Sequence, residues 1–115
     1  RWKGKPVLMV FYRPESRTLF EVMYFAWKLK YKHRKLTVLA MSMSDDKKKV
    51  SEQAKRMRIS FPILSGSGLR SSYNIEATPK LMLIDGKGVV RAEMTGWGPT
   101  SDEELMEKFT PWLKK

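Results

Sequence analysis

The chain contains no cysteine. It can therefore form no disulfide, offers no thiolate to a metal, and has no sulfur nucleophile to start thiol-disulfide exchange. Its one histidine, His33, leaves too little imidazole for the clusters that bind zinc, copper or iron, so neither metal catalysis nor any cofactor is expected. No apolar run approaches the roughly 18 residues of a membrane span. The opening Arg1-Trp2-Lys3-Gly4-Lys5 is not followed by a signal-type apolar stretch, so the segment is expected to be soluble. Acid is scarce as well: 12 acidic residues face 23 basic ones, a formal charge of +11. That excess favours anionic partners such as acidic proteins, lipid head groups or nucleic acid, and it equally suits a basic soluble protein with no such partner.

What is present fits one compact domain over residues 1–115, with a single core. Pro6 to Tyr12 is a continuous apolar run suited to a central strand buried on both faces, and Leu36 to Met43 is a second. Between them, Arg17 to about Arg34 holds neither glycine nor proline and reads as one long helix, giving a strand-helix-strand crossover with parallel strands. Ser44-Asp45-Asp46 offers capping oxygens to a polar helix reaching about Arg58, with Val50, Ala54 and Met57 as its apolar stripe. Ile59 to Leu64 reads as extended, Ser65 to Gly68 as loop, and Leu69 to Tyr73 as a short helical piece. Lys80 to Ile84 is a strand, Asp85-Gly86 signals a hairpin, and Val89 to Met94 returns antiparallel. Ser101 and Glu104 are spaced as a capping box for a last helix carrying Leu105, Met106, Phe109 and Trp112, which Pro111 should weaken or end.

This order resembles the thioredoxin fold. Gly4-Lys5-Pro6-Val7-Leu8-Met9-Val10-Phe11-Tyr12, Phe61-Pro62-Ile63-Leu64 and the run from Ala77-Thr78-Pro79-Lys80 to Gly88 are similar to phrases of TlpA/ResA-type thiol-disulfide oxidoreductases, within the alkyl hydroperoxide reductase and thiol-specific antioxidant superfamily. The resemblance implies an α/β, thioredoxin-like domain. Its central mixed sheet would have about four strands, two parallel and then an antiparallel hairpin, flanked by three or four helices. It also implies an extracytoplasmic setting, periplasmic or membrane-anchored. Within it, Tyr12, Ser16, Leu19, Thr78 and Pro79 match the family's active-site positions, with Ser16 and Leu19 where the two cysteines stand and Pro79 at the family's cis-proline. A peroxiredoxin-like register through Pro14 and Thr18 puts Glu21 at the peroxidatic position.

Other chemistry finds little support in the residues. Ser16 as a hydrolytic nucleophile would need a general base, and His33 lies about 25 Å along the helix. Helix capping is the expected role of Ser16, and ion pairing with Arg13 and Arg17 that of Glu15 and Glu21. Gly86-Lys87-Gly88 lacks Walker spacing and reads as a turn.

The long helix carries more information. At about 100° per residue, Thr18, Val22, Phe25, Ala26 and Leu29 share one stripe, and Phe20, Met23, Tyr24, Trp27 and Tyr31 share another nearly opposite. The second stripe is either covered by loops and the C-terminal segment or left as a partner or self-association surface. Lys28, Lys30, Lys32, Arg34 and Lys35 form a basic patch at the helix end, with His33 a solvated member. The expected function is a protein-binding or peptide-binding module that has lost Cys-x-x-Cys redox catalysis. One alternative is an oxidoreductase-family protein using cysteines of a partner or of another domain. Another is a binder of anionic membrane or nucleic acid through the basic helix end.

Overall fold

The computed structural model describes residues 4–44, 46–59, 62–65 and 78–113, so the readings of Phe61, Leu69 to Tyr73 and Ala77 lie outside the described residues. In chain order the elements are β1 (Val7–Tyr12), α1 (Leu19–Lys32), β2 (Thr37–Ser42), α2 (Lys47–Arg56), β3 (Ile63–Ser65), β4 (Lys80–Ile84), β5 (Val90–Thr95) and α3 (Ser101–Leu113). They form one mixed sheet in the order β3-β2-β1-β4-β5. β1 is central, as its unbroken apolar sequence requires. It runs parallel to β2, from Val7 opposite Thr37 to Tyr12 opposite Ser42, and antiparallel to β4, from Val7 opposite Ile84 to Phe11 opposite Lys80.

The thioredoxin-like class stands, and the sheet gains a strand. Ile63–Ser65 pairs in parallel with Ala40–Ser42, so Ser65 closes a strand instead of opening a loop. Three residues after Pro62 are too few to display a period, and only the neighbouring strand reveals their role.

Alternation along β1 builds two apolar layers. Leu8, Val10 and Tyr12 join Val22, Phe25 and Leu29 of α1 and Leu105 and Phe109 of α3, whereas Met9 and Phe11 join Leu39, Met41 and Met82 on the other face. The first helix stripe is therefore core, with Thr18 half-buried at its start. Val50, Ala54 and Met57 of the α2 stripe are only half-buried.

Caps show where local reading succeeds and fails. Asp46 caps α2 by accepting from the Lys49 N–H at 3.0 Å. Ser16 does not cap α1: Thr18 is the N-cap, its side chain makes no capping bond to the helix, and its hydroxyl pairs instead with that of Ser16 at 3.2 Å. At α3, Thr100 rather than Ser101 reaches Glu104, at 3.4 Å, while Ser101 accepts from the Gly98 N–H at 2.7 Å and is buried. α3 continues through Pro111 to Leu113, which is buried against the core and holds the last turn in place.

The hairpin is organised by Asp85. Its Oδ1 accepts from the N–H groups of Lys87 (2.8 Å) and Val89 (3.0 Å), its Oδ2 from Arg91 Nε (2.6 Å), and Gly88 takes φ +85°. These donors lower the Asp85 carboxyl to about 2, with the Arg91 hydrogen bond as the largest cause. Gly86 packs against Gly4, whose N–H donates to the Gly86 carbonyl at 3.1 Å; a Cβ at position 86 would stand 2.8 Å from the Gly4 carbonyl carbon. Here glycine is required by contact.

Candidate functional site

The positions that match the resembled active site gather at one edge of the sheet. β1 ends there at Tyr12, and β4, antiparallel to it, begins there at Lys80 just after Thr78-Pro79, a cis peptide bond with Pro79 buried. The loop from Arg13 to Thr18 leaves the same edge and leads into α1. It is held by the Ser16 N–H donating to the Arg13 carbonyl (3.0 Å), by Gln53 Nε2 of α2 donating to the Pro14 carbonyl (2.6 Å), and by Lys49 3.9 Å from Glu15. Glu15 thus faces α2 instead of Arg13 or Arg17, and no ion pair of Glu21 is found among the described residues.

None of these groups can perform thiol chemistry. Leu19, which the resemblance matches to a second cysteine, is 4% exposed and belongs to the main core. Ser16 is half-buried and its hydroxyl meets the Thr18 hydroxyl, so no base activates it among the described residues. His33 stands at the far end of α1, where its backbone N–H donates to the Leu29 carbonyl. Tyr12 is 2% exposed, and burial pushes its phenol up, partly offset by a hydrogen bond with Ser42. It therefore stays protonated at neutral pH and can serve only as a neutral hydrogen-bonding group. Lys80 is buried beside Pro79 and lies 3.5 Å from Glu93.

The second feature is the outward face of α1. Phe20 (68%), Tyr24 (52%), Trp27 (47%) and Tyr31 (70%) are exposed in one row. Tyr24 stacks on Trp27 at 6.0 Å between centroids and Trp27 on Tyr31 at 5.6 Å, with interplanar angles of 12° and 18°. Met23, grouped with them by sequence, is instead 4% exposed. It sits between the two stripes, where Met57 and Ile59 rise beside it, and it becomes the floor of a trough of about 270 Å³ walled by the row and by Met57, Arg58 and Ile59. A second trough, about 540 Å³, runs along the other side of the row toward Trp97, Pro99 and Asp102. The alternative of full internal cover for this stripe therefore fails for its four exposed aromatic residues.

The basic patch divides. Lys30 Nζ donates to the carbonyls of Arg34 (3.1 Å) and Leu36 (2.6 Å), so it closes the C-terminal end of α1 and is spent structurally. Lys28, Lys32, Arg34 and Lys35 are exposed, with Lys28 Nζ 5.0 Å from the Tyr24 ring centre. His33 is half-buried rather than fully solvated. Arg58 is a cation the sequence reading did not single out. It sits at φ +53°, in the glycine-favoring position that ends α2, with its N–H bonded to the Lys55 carbonyl and that of Ile59 to the Ala54 carbonyl. The signal available in sequence was slight: an arginine two residues past the last helical turn.

No family model and no curated protein matches the sequence. Solved structures do. A Chlorobium tepidum chain assigned as a thiol:disulfide interchange protein DsbE superposes with a TM-score of 0.90 at 17% identity, covering 97% of this chain and 82% of that one. A secreted Mycobacterium tuberculosis disulfide oxidoreductase, homologous to DsbE of E. coli, gives 0.79 at 14% identity, over 96% and 84% of the two chains. StoA from Bacillus subtilis gives 0.74 at 19% identity, over 92% and 83%. With its five-stranded mixed sheet, this chain has the thioredoxin-like fold of those thiol-disulfide oxidoreductases, and it holds no cysteine.

Proposed function

We propose that this domain is a redox-inactive thioredoxin-like module that binds a polypeptide. The observation that carries the reading is the exposed row Phe20, Tyr24, Trp27 and Tyr31, four large rings standing on solvent in a chain whose thiol positions hold Ser16 and Leu19. Burying such rings is what an interface core uses, because each removes a large apolar area from water while retaining few rotatable bonds. The sheet edge at Ser16 and Thr78-Pro79 offers a second contact surface.

The test is a capture experiment from the native source with the wild-type chain and a Tyr24→Ala, Trp27→Ala variant, beside an insulin-type disulfide reduction assay. The reading expects a specific partner that the variant loses, and no reductase turnover. A partner set unchanged in the variant would move binding to the Ser16 and Pro79 edge, and turnover by the pure wild-type chain would overturn redox inactivity.

A further inference from the structure

Resting on that reading, we infer that the α1 row and the trough beside it receive an acidic amphipathic segment of another protein, its apolar side chains on Met23 and its carboxylates on Lys28, Lys32, Arg34 and Arg58. The shape sets the first condition. From Phe20 to Tyr31 the row spans roughly 16 Å, about three helical turns, and it stands between two troughs with protein walls. Side chains of a polypeptide can enter such troughs; a bilayer would bridge them and leave them wet. Carboxylates at Glu21 and Asp102 line the second trough and would repel an acidic occupant there, so the segment belongs in the first trough, whose charged wall is Arg58.

Charge sets the second condition. With a net charge of +11 and exposed lysines beside the row, a second copy of this chain would bring cations against cations across a twofold axis. An acidic occupant is attracted instead. The rings also disfavour single-stranded nucleic acid: Tyr24, Trp27 and Tyr31 stack on one another at 5.6–6.0 Å between centroids, so the faces between them have no room for a base.

Arg58 supplies an independent observation. A residue at φ +53° ending a helix is ordinarily glycine, because a Cβ is disfavoured there. This chain keeps an arginine whose side chain walls the apolar trough together with Phe20 and Trp27. A cation held at a position where its backbone is unfavourable fits a role in binding.

The experiment titrates the full chain with fluorescein-labelled synthetic helical peptides of about four turns, sharing one leucine face and carrying glutamate, glutamine or lysine on the other. Anisotropy should rank glutamate tightest, at least about tenfold over lysine, with a steep loss at high salt. Arg58→Gly should fold at least as stably as wild type and still weaken the glutamate peptide about tenfold, and Trp27→Ala should do likewise. Equal binding of all three peptides, lost in Trp27→Ala, would overturn the acidic assignment and leave the polypeptide reading standing. No binding of any peptide would overturn the seating of a segment on this row, while the capture experiment decides the polypeptide reading separately. Tighter binding to phosphatidylserine vesicles or to oligo-dT than to the glutamate peptide would overturn the choice of occupant.

Discussion

Introducing cysteines at Ser16 and Leu19, the two positions the resemblance matches to a Cys-x-x-Cys pair, tests whether this loop can support thiol-disulfide exchange. Ser16→Cys puts a thiol just before the N-terminus of α1, where the helix dipole favours the thiolate, and Leu19→Cys puts its partner three residues on, at the first helical position. The first change replaces a half-buried hydroxyl and should cost little. The second removes an isobutyl group that is 4% exposed in the main core, which costs about 1–2 kcal/mol. For a domain of this size that lowers Tm by about 4–8 °C, so the double variant should remain folded. Insulin-type turnover with dithiothreitol should appear in the double variant, be absent from the wild type and be much weaker in either single variant, since a resolving thiol held on the protein releases the mixed disulfide faster than dithiothreitol from solution does. A folded double variant, oxidised by mass, that shows no turnover would refute the match of Ser16 and Leu19 to a Cys-x-x-Cys pair.

Three further outcomes follow from the packing and the charges. Gly86→Ala drives a Cβ to 2.8 Å from the Gly4 backbone and should destabilise the domain by about 1–3 kcal/mol in urea unfolding, whereas Gly88→Ala meets no atom and is strained only by its φ of +85°. Asp85 has a folded pKa of about 2 against an ordinary 3.8, so the stability it contributes is fully present above that ordinary value and is lost as pH falls toward 2. Thermal melts from neutral pH down to pH 2 should therefore show a steeper acid loss in wild type than in Asp85→Asn. Phe109→Ala, at a fully buried position, should cost about 3–5 kcal/mol, while Tyr24→Ala, half exposed, should stay within about 0.5 kcal/mol in the same denaturation.

Much of the frame was legible because it is written in local pattern. The continuous apolar runs at Val7–Tyr12 and Thr37–Ser42, the Asp85-Gly86 turn and the stripe Val22, Phe25, Ala26 and Leu29 each declare an element without reference to any other. What escaped depends on neighbours. Met23 lies on the boundary of the helix's outward face, and only the rise of Met57 and Ile59 makes it a trough floor. Ser16 has the right chemistry for a cap, but the helix begins late enough that its hydroxyl meets Thr18. Lys30 reads like its basic neighbours until the chain turns back after α1 and gives it the Leu36 carbonyl.

By itself the sequence determined the missing chemistry and the fold class: with no cysteine anywhere there is no thiolate, whatever the shape, and periodicity sets strand and helix because it records which face of each element leaves water. Tertiary structure alone decided which aromatic rings stay exposed, which cations lie exposed beside them, and that Leu19 is packed in the main core. Those outcomes depend on what other segments bring to a surface, and a helix pattern specifies its own faces without specifying what will cover them.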